Sequence, residues 1–349
     1  MTVHGGDIWQ VGEEQGIAAS ELLDFSANIN PRGLPPRARD RLMRDAADAR
    51  LLGAYPDPAA RNLRRALAEH LAITPESIVI GPGAEALLSP ILRCVQAQRL
   101  LVPVPAFSEY RRVCRQEQIE FIPFPLDRAE LFRVPVSRLN DRNEVLLLNN
   151  PHNPSGALLD AHEIDPLNLI LDEAFIDYAP HASLVREAAT RRGLIVIRSL
   201  TKFYGCPALR VGYAVAQPDT ARQIQSLLPT WPVTQLALNA LTEAVSDREY
   251  AEASLRENAL SREHLAACLT AIGFFVFPSA ANYLLLELNP DMPTASELRS
   301  RLIANHRILV RNCDSYEGLA PGRYIRVALR SPEQNRQLIQ ALAGELRKP

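Results

Sequence analysis

Lys202 is the only lysine in the interior of this sequence. The other lysine is Lys348, the second-last residue. Every other residue among the 38 that are lysine or arginine is an arginine. Arginine stays protonated and cannot form an imine, whereas a lysine shielded from water can lose its proton and attack an aldehyde. Lys202 is therefore a candidate for Schiff-base chemistry, and the alternative is a surface lysine that has no special role.

Two segments could together bind a phosphate group. Ser199 and Thr201 supply hydroxyl groups beside Lys202, and Arg210 supplies a guanidinium, which is a combination that suits a phosphate monoester. Residues 81–85, with the sequence GPGAE, join a predicted strand to a predicted helix, where glycine allows backbone N–H groups to approach an anion. By itself this second segment could equally be only a turn.

Acidic and amide side chains follow two further apolar runs. The sequence LDEAF at 171–175 places Asp172 at the end of a buried run, where a carboxylate needs a cation or a hydrogen-bond donor. A protonated pyridine nitrogen would be such a partner, and the alternative is a carboxylate that caps a helix. The sequence NNPHNPSG at 149–156 forms a loop whose amides could face a cleft or only shape the turn.

One cofactor would explain the lysine, the acid and the anion site together. Pyridoxal 5′-phosphate (PLP) carries an aldehyde for an amine, a pyridine nitrogen for a carboxylate, and a phosphate for hydroxyl and guanidinium groups. The sequence therefore predicts a PLP site around Lys202.

Composition and spacing argue against several other functions. The net charge of −2 does not favour a nucleic acid or an anionic membrane as a partner. The five cysteines include no CxxC pair and the seven histidines include no HxxxH or HxH pair, so no metal site is predicted. Reduced thiols favour a cytoplasmic location. The pattern predicts neither a signal peptide nor a membrane span, because no long apolar run is present.

The residues named above need a scaffold, and the apolar pattern predicts an α/β fold. Short apolar runs alternate with helix-like segments as far as about residue 235, which is typical of a mostly parallel sheet with helices on both faces. A long helical stretch at 236–269 then precedes mixed strands and helices. We therefore predict three parts: an N-terminal arm at 1–30 that contributes to the small domain, a large PLP-binding domain at 31–235 and a small α+β domain at 236–349.

Three sequence blocks resemble the signature motifs of a known enzyme family. NPHNPSG, LDEAFIDY and SLTKFYGCPALRVGY are similar, in order and spacing, to blocks of the fold-type I PLP enzymes related to aspartate aminotransferase. The resemblance covers essentially the whole chain and implies the fold of that family, with its large and small domains. It also implies a homodimer, in which Tyr55 reaches the cofactor phosphate of the neighbouring subunit.

The same resemblance implies a role for each cofactor-binding residue. Lys202 would bind the PLP aldehyde, Asp172 the pyridine nitrogen and Asn153 the ring hydroxyl, while Phe107 would stack on the ring. The groups implied for the phosphate are the turn at Gly83, the backbone N–H groups of Ala84 and Glu85, and the side chains of Ser199 and Arg210.

A closer resemblance concerns the reaction. The blocks HGGDI, DFSANINP, ANYLLL and ILVRNCDSYEGL look more like L-threonine-O-3-phosphate decarboxylases of cobalamin biosynthesis than like histidinol-phosphate aminotransferases. Phe175 replaces the tyrosine of the aminotransferase motif DEAY, and phenylalanine is usual in the decarboxylases. The resemblance implies conversion of threonine phosphate to (R)-1-amino-2-propanol O-2-phosphate and CO₂. It also implies that His4, Asn28 and Asn153 help to bind this substrate.

Two arginines suit a substrate with two anionic groups. Arg311 and Arg326 lie on neighbouring strand-like segments with the same phase, so one could bind a carboxylate and the other a phosphate. The sequence does not decide which arginine takes which group. A transaminase that acts on histidinol phosphate or a related phosphorylated amino acid is the main alternative, and a non-catalytic regulator with a PLP-enzyme fold is the third.

Overall fold

The computed structural model describes residues 5–135, 138–139, 144–159 and 168–346. The strands of this part are β1 (Leu23–Asp24), β2 (Ile78–Gly81), β3 (Arg99–Val104), β4 (Glu120–Pro125), β5 (Val145–Asn149), β6 (Leu169–Asp172), β7 (Leu194–Ser199), β8 (Gly212–Val215), β9 (Phe275–Val276), β10 (Tyr283–Glu287), β11 (Ile308–Leu309), β12 (Arg311–Asn312) and β13 (Tyr324–Ala328). The α-helices are α1 (Ile8–Gln15), α2 (Pro36–Ala47), α3 (Ala49–Leu52), α4 (Arg61–Leu71), α5 (Leu88–Cys94), α6 (Ser108–Gln116), α7 (Val185–Ala188), α8 (Leu200–Phe203), α9 (Pro218–Ser226), α10 (Gln235–Val245), α11 (Arg248–Ala271), α12 (Ala295–His306) and α13 (Pro332–Leu346).

Seven of the described strands form the large sheet, in the order β2-β8-β7-β6-β5-β3-β4. All run parallel except β8, which is antiparallel to its neighbours β2 and β7. Its strands are apolar along their length because both faces are covered. In β7, Leu194 and Val196 join one hydrophobic cluster with α4 and α10, while Ile195 and Ile197 join another with α5 and α9. The predicted α/β fold is therefore confirmed.

A second sheet, in the order β12-β13-β10-β9, is antiparallel and packs through one hydrophobic cluster against α11, α12 and α13. The N-terminal strand β1 pairs in parallel with β11, with Leu23 opposite Ile308, and Phe25 enters the same cluster. The first residues therefore pack with the last third of the chain, as expected for an N-terminal arm. The three domain boundaries stay predictions.

The stretch at 236–269 contains two helices, α10 and α11, rather than one long helix. Asp247 separates them, because its carboxylate accepts a hydrogen bond from the Tyr250 backbone N–H at 3.0 Å and so caps the start of α11. Among the helices that the structure describes, none combines the length and apolarity needed to cross a membrane.

Candidate active site

A cavity lies at the carboxyl edge of the large sheet, which is where α/β proteins bind their ligands. Asn149, Asp172 and Ser199, the last residues of β5, β6 and β7, all line it. The predicted site residues that line the cavity are Asn28, Ala84, Glu85, Phe107, Asn153, Asp172, Ser199, Lys202, Arg210, Arg311 and Arg326. Side chains that are far apart in the sequence therefore meet in one place.

Lys202 is the third residue of α8, a single helical turn that begins directly after β7. Burial, together with the positive charges of Arg210 and Arg326, lowers the pKa of Lys202 to about 8, although Asp172 acts in the opposite direction. A lysine with this pKa is partly deprotonated near neutral pH, as attack on an aldehyde requires.

Asp172 is buried and accepts two hydrogen bonds from the protein. The Tyr110 hydroxyl donates to Oδ2 at 2.7 Å, and the Ala174 backbone N–H donates to Oδ1 at 2.9 Å. Burial raises the pKa of Asp172, while these two hydrogen bonds and the charge of Lys202 oppose the rise. The second contact resembles that of a capping residue, but the carboxylate also faces the cavity, where a further donor can reach it.

In the loop at 149–156, Asn149 and His152 fix the shape of the loop, and the Asn153 side chain faces the cavity. Asn149 accepts the Asn153 backbone N–H at 2.7 Å and donates to the Asp172 carbonyl at 2.8 Å. His152 is held between Ser155 Oγ at 2.7 Å and the Pro105 carbonyl at 2.8 Å, and burial lowers its pKa to about 4. Asn149 and His152 therefore position the loop, and Asn153 presents its side chain to the cavity.

The predicted phosphate-binding groups surround one end of the cavity. Ser199 Oγ lies 2.9 Å from Thr201 Oγ1. The Arg210 guanidinium packs so close to Gly83 that a Cβ there would lie 2.7 Å from Arg210 Nη2, and Gly83 has a φ of +103°. Gly83 does not itself line the cavity; instead it leaves room for the arginine.

Arg311 and Arg326 lie directly opposite each other on β12 and β13, and both are buried. Arg311 Nη2 donates to Ser315 Oγ at 2.7 Å, and Arg326 Nη1 donates to Asn153 Oδ1 at 2.5 Å and to the Tyr316 hydroxyl at 3.0 Å. Among the described residues, the side-chain hydrogen bonds of the two guanidiniums go to hydroxyl, amide and carbonyl oxygens and not to a carboxylate. Two adjacent buried cations without acids favour the binding of anions.

The N-terminal arm supplies another wall of the cavity. Gly5 touches Ser26 so closely that a Cβ at Gly5 would lie 2.2 Å from the Ser26 carbonyl oxygen, and the Gly6 N–H donates to Ser26 Oγ at 2.7 Å. Asn28 lines the cavity, and its buried Oδ1 has no hydrogen-bond partner in the described part of the chain. His4 lies outside the described residues.

Residues 20–342 match the protein family described as aminotransferase class I and II. The chain belongs to this family. Its members are PLP-dependent enzymes, so the predicted cofactor and the general enzyme class are confirmed.

Two proteins similar to this chain align with nearly its whole length. The chain is 35% identical to threonine-phosphate decarboxylase of Salmonella typhimurium, with 99% of this chain and 97% of that protein covered. It is 32% identical to the adenosylcobalamin biosynthesis bifunctional protein CobDQ of Leptospira interrogans, with 98% of this chain covered, but it spans only 41% of the length of that protein.

Two solved structures of the family have nearly the same fold. The histidinol-phosphate aminotransferase from Clostridium acetobutylicum aligns with a TM-score of 0.84 at 27% identity, covering 93% of this chain and 98% of that one. The L-threonine-O-3-phosphate decarboxylase from Porphyromonas gingivalis aligns with a TM-score of 0.81 at 25% identity, covering 93% and 99%. Fold similarity therefore does not separate decarboxylase from aminotransferase.

The residues present fit the cofactor of this family. The backbone N–H groups of Ala84 and Glu85 have no acceptor among the described residues, although both residues line the cavity. Such free donors beside two hydroxyl groups and a guanidinium suit a phosphate. Phe107 lines the same cavity and could cover a flat ring.

Tyr55 is the predicted site residue that lies away from the cavity of its own chain. It is 79% exposed, and its ring stacks on Trp231 with the centroids 4.4 Å apart. Its predicted contact with a neighbouring subunit stays a prediction.

Sequence reasoning missed two tyrosines of the site. Tyr110 packs edge-on against Phe107 at 5.7 Å and donates to Asp172, and its position in the first turn of the helix that follows Phe107 was the available signal. Tyr316 donates to Asn153 Oδ1 at 3.1 Å. Only its position five residues after Arg311 could have drawn attention to it.

Proposed function

We propose that this chain is a PLP-dependent decarboxylase of L-threonine O-3-phosphate. The reaction would break the bond between Cα and the carboxylate, place a proton on Cα, and yield (R)-1-amino-2-propanol O-2-phosphate and CO₂. The observation that carries the proposal is the pair of buried arginines without acidic partners beside Lys202, because this substrate has two anionic groups. The threonine-phosphate decarboxylase relatives support it.

Each cofactor-binding residue has a distinct task in this proposal. When bound, PLP supplies the electron sink for the carbanion at Cα. Lys202 would hold its aldehyde, and Asp172 would keep its pyridine nitrogen protonated. Asn153 would donate to the ring hydroxyl, and Phe107 would stack on the ring. The proposed phosphate ligands are the N–H groups of Ala84 and Glu85 and the side chains of Ser199 and Arg210.

The surroundings of the two arginines suggest how they divide the substrate. Arg326 is close enough to Lys202 to lower its pKa, whereas Arg311 is not among the charges that do so. The substrate amine must approach Lys202, and the carboxylate is attached to the same carbon as that amine. Arg326 would therefore bind the carboxylate, and Arg311, with Asn28 and His4, would bind the phosphate of the side chain.

Two fixed anions would also select the bond that breaks. PLP, when bound, would weaken one bond at Cα, and the orientation of the substrate would decide whether CO₂ or a proton is lost. With the phosphate on Arg311 and the carboxylate on Arg326, the substrate would be held in one orientation. We infer that this orientation favours loss of the carboxylate as CO₂.

A transaminase that acts on histidinol phosphate is the second candidate, because a histidinol-phosphate aminotransferase is also similar to this chain, at 27% identity over 95% of its length. Incubation with threonine phosphate separates the two functions, with CO₂ and keto product measured in parallel. We expect CO₂ release, with no activity on histidinol phosphate and 2-oxoglutarate. Formation of a keto acid without CO₂ would overturn the decarboxylase and support the transaminase.

We also propose that the active form is a homodimer, in which the exposed stack of Tyr55 and Trp231 contacts a second copy. Light scattering should give twice the chain mass of 38.7 kDa. Tyr55→Ala should weaken retention of PLP, because Tyr55 would reach the phosphate in the partner. A monomeric enzyme with full activity would contradict this proposal.

A further inference from the structure

The helical turn that carries Lys202 is too short to hold itself in place. Helix α8 contains only Leu200–Phe203, and a helix leaves the carbonyl groups of its last turn without partners of its own. The position of the Lys202 amine therefore depends on donors from elsewhere in the chain.

Asn30 supplies two of those donors, beside the Gly205 N–H, 3.4 Å from the Lys202 carbonyl, and the Tyr250 hydroxyl, 3.3 Å from the Phe203 carbonyl. Its backbone N–H donates to the Lys202 carbonyl at 3.0 Å, and its side-chain Nδ2 donates to the Phe203 carbonyl at 2.8 Å. The same Nδ2 lies 3.2 Å from the Tyr250 hydroxyl and 3.0 Å from Ser254 Oγ, both on α11. Asn30 is only 5% exposed, so water does not readily replace these contacts.

The loop of Asn30 also packs tightly against the residues that follow the turn. A Cβ at Gly205 would lie 2.6 Å from the backbone of Gly33, and Gly205 has a φ of +61°. The Tyr250 hydroxyl donates to the Gly33 carbonyl at 2.6 Å. The loop, the lysine turn and α11 therefore form one packed unit, which leaves little room for the turn to shift.

We propose that Asn30 is a positioning residue for Lys202. Asn30 holds the lysine turn through its hydrogen bonds to the Lys202 and Phe203 carbonyl groups. Asn30 lies two residues after Asn28, so it also connects the lysine turn to the arm that lines the substrate side of the cavity. The inference rests on the proposed role of Lys202 in binding PLP.

Replacement of the amide should release the turn. Asn30→Asp has the same shape, but it places an oxygen against the Phe203 carbonyl in place of a donor. Asn30→Ala removes the donor without adding charge and serves as the second variant if the first does not fold. Ser254→Ala is the matched control, because it removes one neighbour of the Asn30 amide and leaves the bond to Phe203.

The experiment uses the fact that the chain has only two lysines. The protein without cofactor is labelled with trace acetic anhydride across a pH series, and peptide mapping compares Lys202 with Lys348 as an internal reference. In the wild type Lys202 should titrate near its lowered pKa of about 8. In the Asn30 variants the amine should gain access to water, and its reactive fraction at pH 7 should fall about tenfold, which corresponds to about one pKa unit. Ser254→Ala should titrate like the wild type.

A second measurement follows the bound cofactor. After reconstitution with PLP and borohydride reduction, the wild type should carry the label on Lys202, and the Asn30 variants should bind PLP about tenfold more weakly, as expected for one lost buried hydrogen bond. If the variants melt at a lower temperature but keep the wild-type titration and PLP affinity, Asn30 is only structural and the inference is wrong. If the wild type itself is not labelled on Lys202, the proposed role of Lys202 fails, whatever Asn30 does.

Discussion

The buried arginines of this protein have opposite surroundings. Arg198 on β7 is 3% exposed, and its guanidinium lies 3.1 Å from a Glu173 oxygen and 3.7 Å from an Asp177 oxygen. Arg311 and Arg326 are 5% and 6% exposed, yet neither has a carboxylate partner among the described residues. Burial is therefore nearly the same, and only the partners differ.

The difference shows how a buried charge can be assigned to structure or to function. A buried cation is unfavourable unless an anion meets it. Arg198 finds its anions within the protein and is expected to stabilise the fold. Arg311 and Arg326 do not find one among the described residues, which supports the proposal that they bind the anionic groups of a ligand.

Two neighbouring acids repeat the contrast. Glu173 is fully buried and accepts from Arg198, from Ser183 Oγ at 2.6 Å and from the Leu184 backbone N–H at 2.8 Å. Asp172, one residue earlier, accepts only from groups without a formal charge, and it lines the cavity. The side chain with a charged protein partner again lies outside the site.

The largest expected effect is on the stability of the paired arginine. Arg198→Met should lower the free energy of unfolding by about 3–5 kcal/mol, because it leaves Glu173 buried without its cation. Urea denaturation at neutral pH measures the change. Arg222→Met, at a side chain that is 76% exposed, is the control and should stay within about 0.5 kcal/mol. An Arg198→Met protein as stable as the wild type would show that the ion pair with Glu173 does not stabilise the fold.

The unpaired arginines should show the reverse behaviour. Arg326→Met and Arg311→Met should each weaken binding of the transition state by about 2–5 kcal/mol. The value of kcat/KM for threonine phosphate should therefore fall about 30-fold to several-thousand-fold. Their free energy of unfolding should not fall as in Arg198→Met, because no acid loses its partner. If both variants unfold as readily as Arg198→Met, these arginines are structural.

Ligand-induced stabilisation can assign each of the two arginines to the anionic group that it binds. A ligand at about 100 times its Kd stabilises a protein by about 2.7 kcal/mol. The reaction product, which has a phosphate but no carboxylate, should stabilise the wild type and Arg326→Met but not Arg311→Met. Thermal melts of the PLP-loaded proteins measure this. Equal stabilisation of both variants would disprove the assignment.

The smallest effect concerns the hydrogen bond from Tyr110 to Asp172. Burial raises the pKa of Asp172 above 3.8, and the Tyr110 hydrogen bond opposes that rise, so Tyr110→Phe should raise it further. An acid whose pKa is raised in the folded state destabilises the protein as the pH increases through and above its unfolded value. The stability lost in Tyr110→Phe should therefore be small at pH 4 and reach about 1–3 kcal/mol at pH 7.

Unfolding free energies of the cofactor-free protein between pH 4 and pH 8 test this prediction. Tyr316→Phe is the control, because the Tyr316 hydroxyl contacts Asn153 and Arg326 and makes no hydrogen bond to Asp172. A loss of stability in Tyr110→Phe that is the same at every pH would show that the hydroxyl does not act on the Asp172 carboxylate.

The sequence was most informative about the candidate site residues that lie at or just after the ends of strands. Asp172 and Ser199 each end a buried strand, and Lys202 follows within three residues. Parallel strands bring their carboxyl ends to one edge of the sheet, so a local apolar pattern is enough to predict that these side chains converge. The stretch at 236–269 is helical as predicted, but composition does not show that Asp247 ends one helix and caps the next.

The α/β fold and the candidate roles of the lysine, the acid and the two arginines could be predicted from the sequence, because residue type and strand phase are local properties. The pairing of charges could not, since Arg198 and Glu173 are 25 residues apart and the Tyr110 hydroxyl reaches Asp172 across 62. The same is true of the hydrogen bond from the Asn30 side chain to the Phe203 carbonyl, which is 173 residues away. Pairing and burial depend on contacts between distant segments, and those contacts exist only once the sheets and helices have packed.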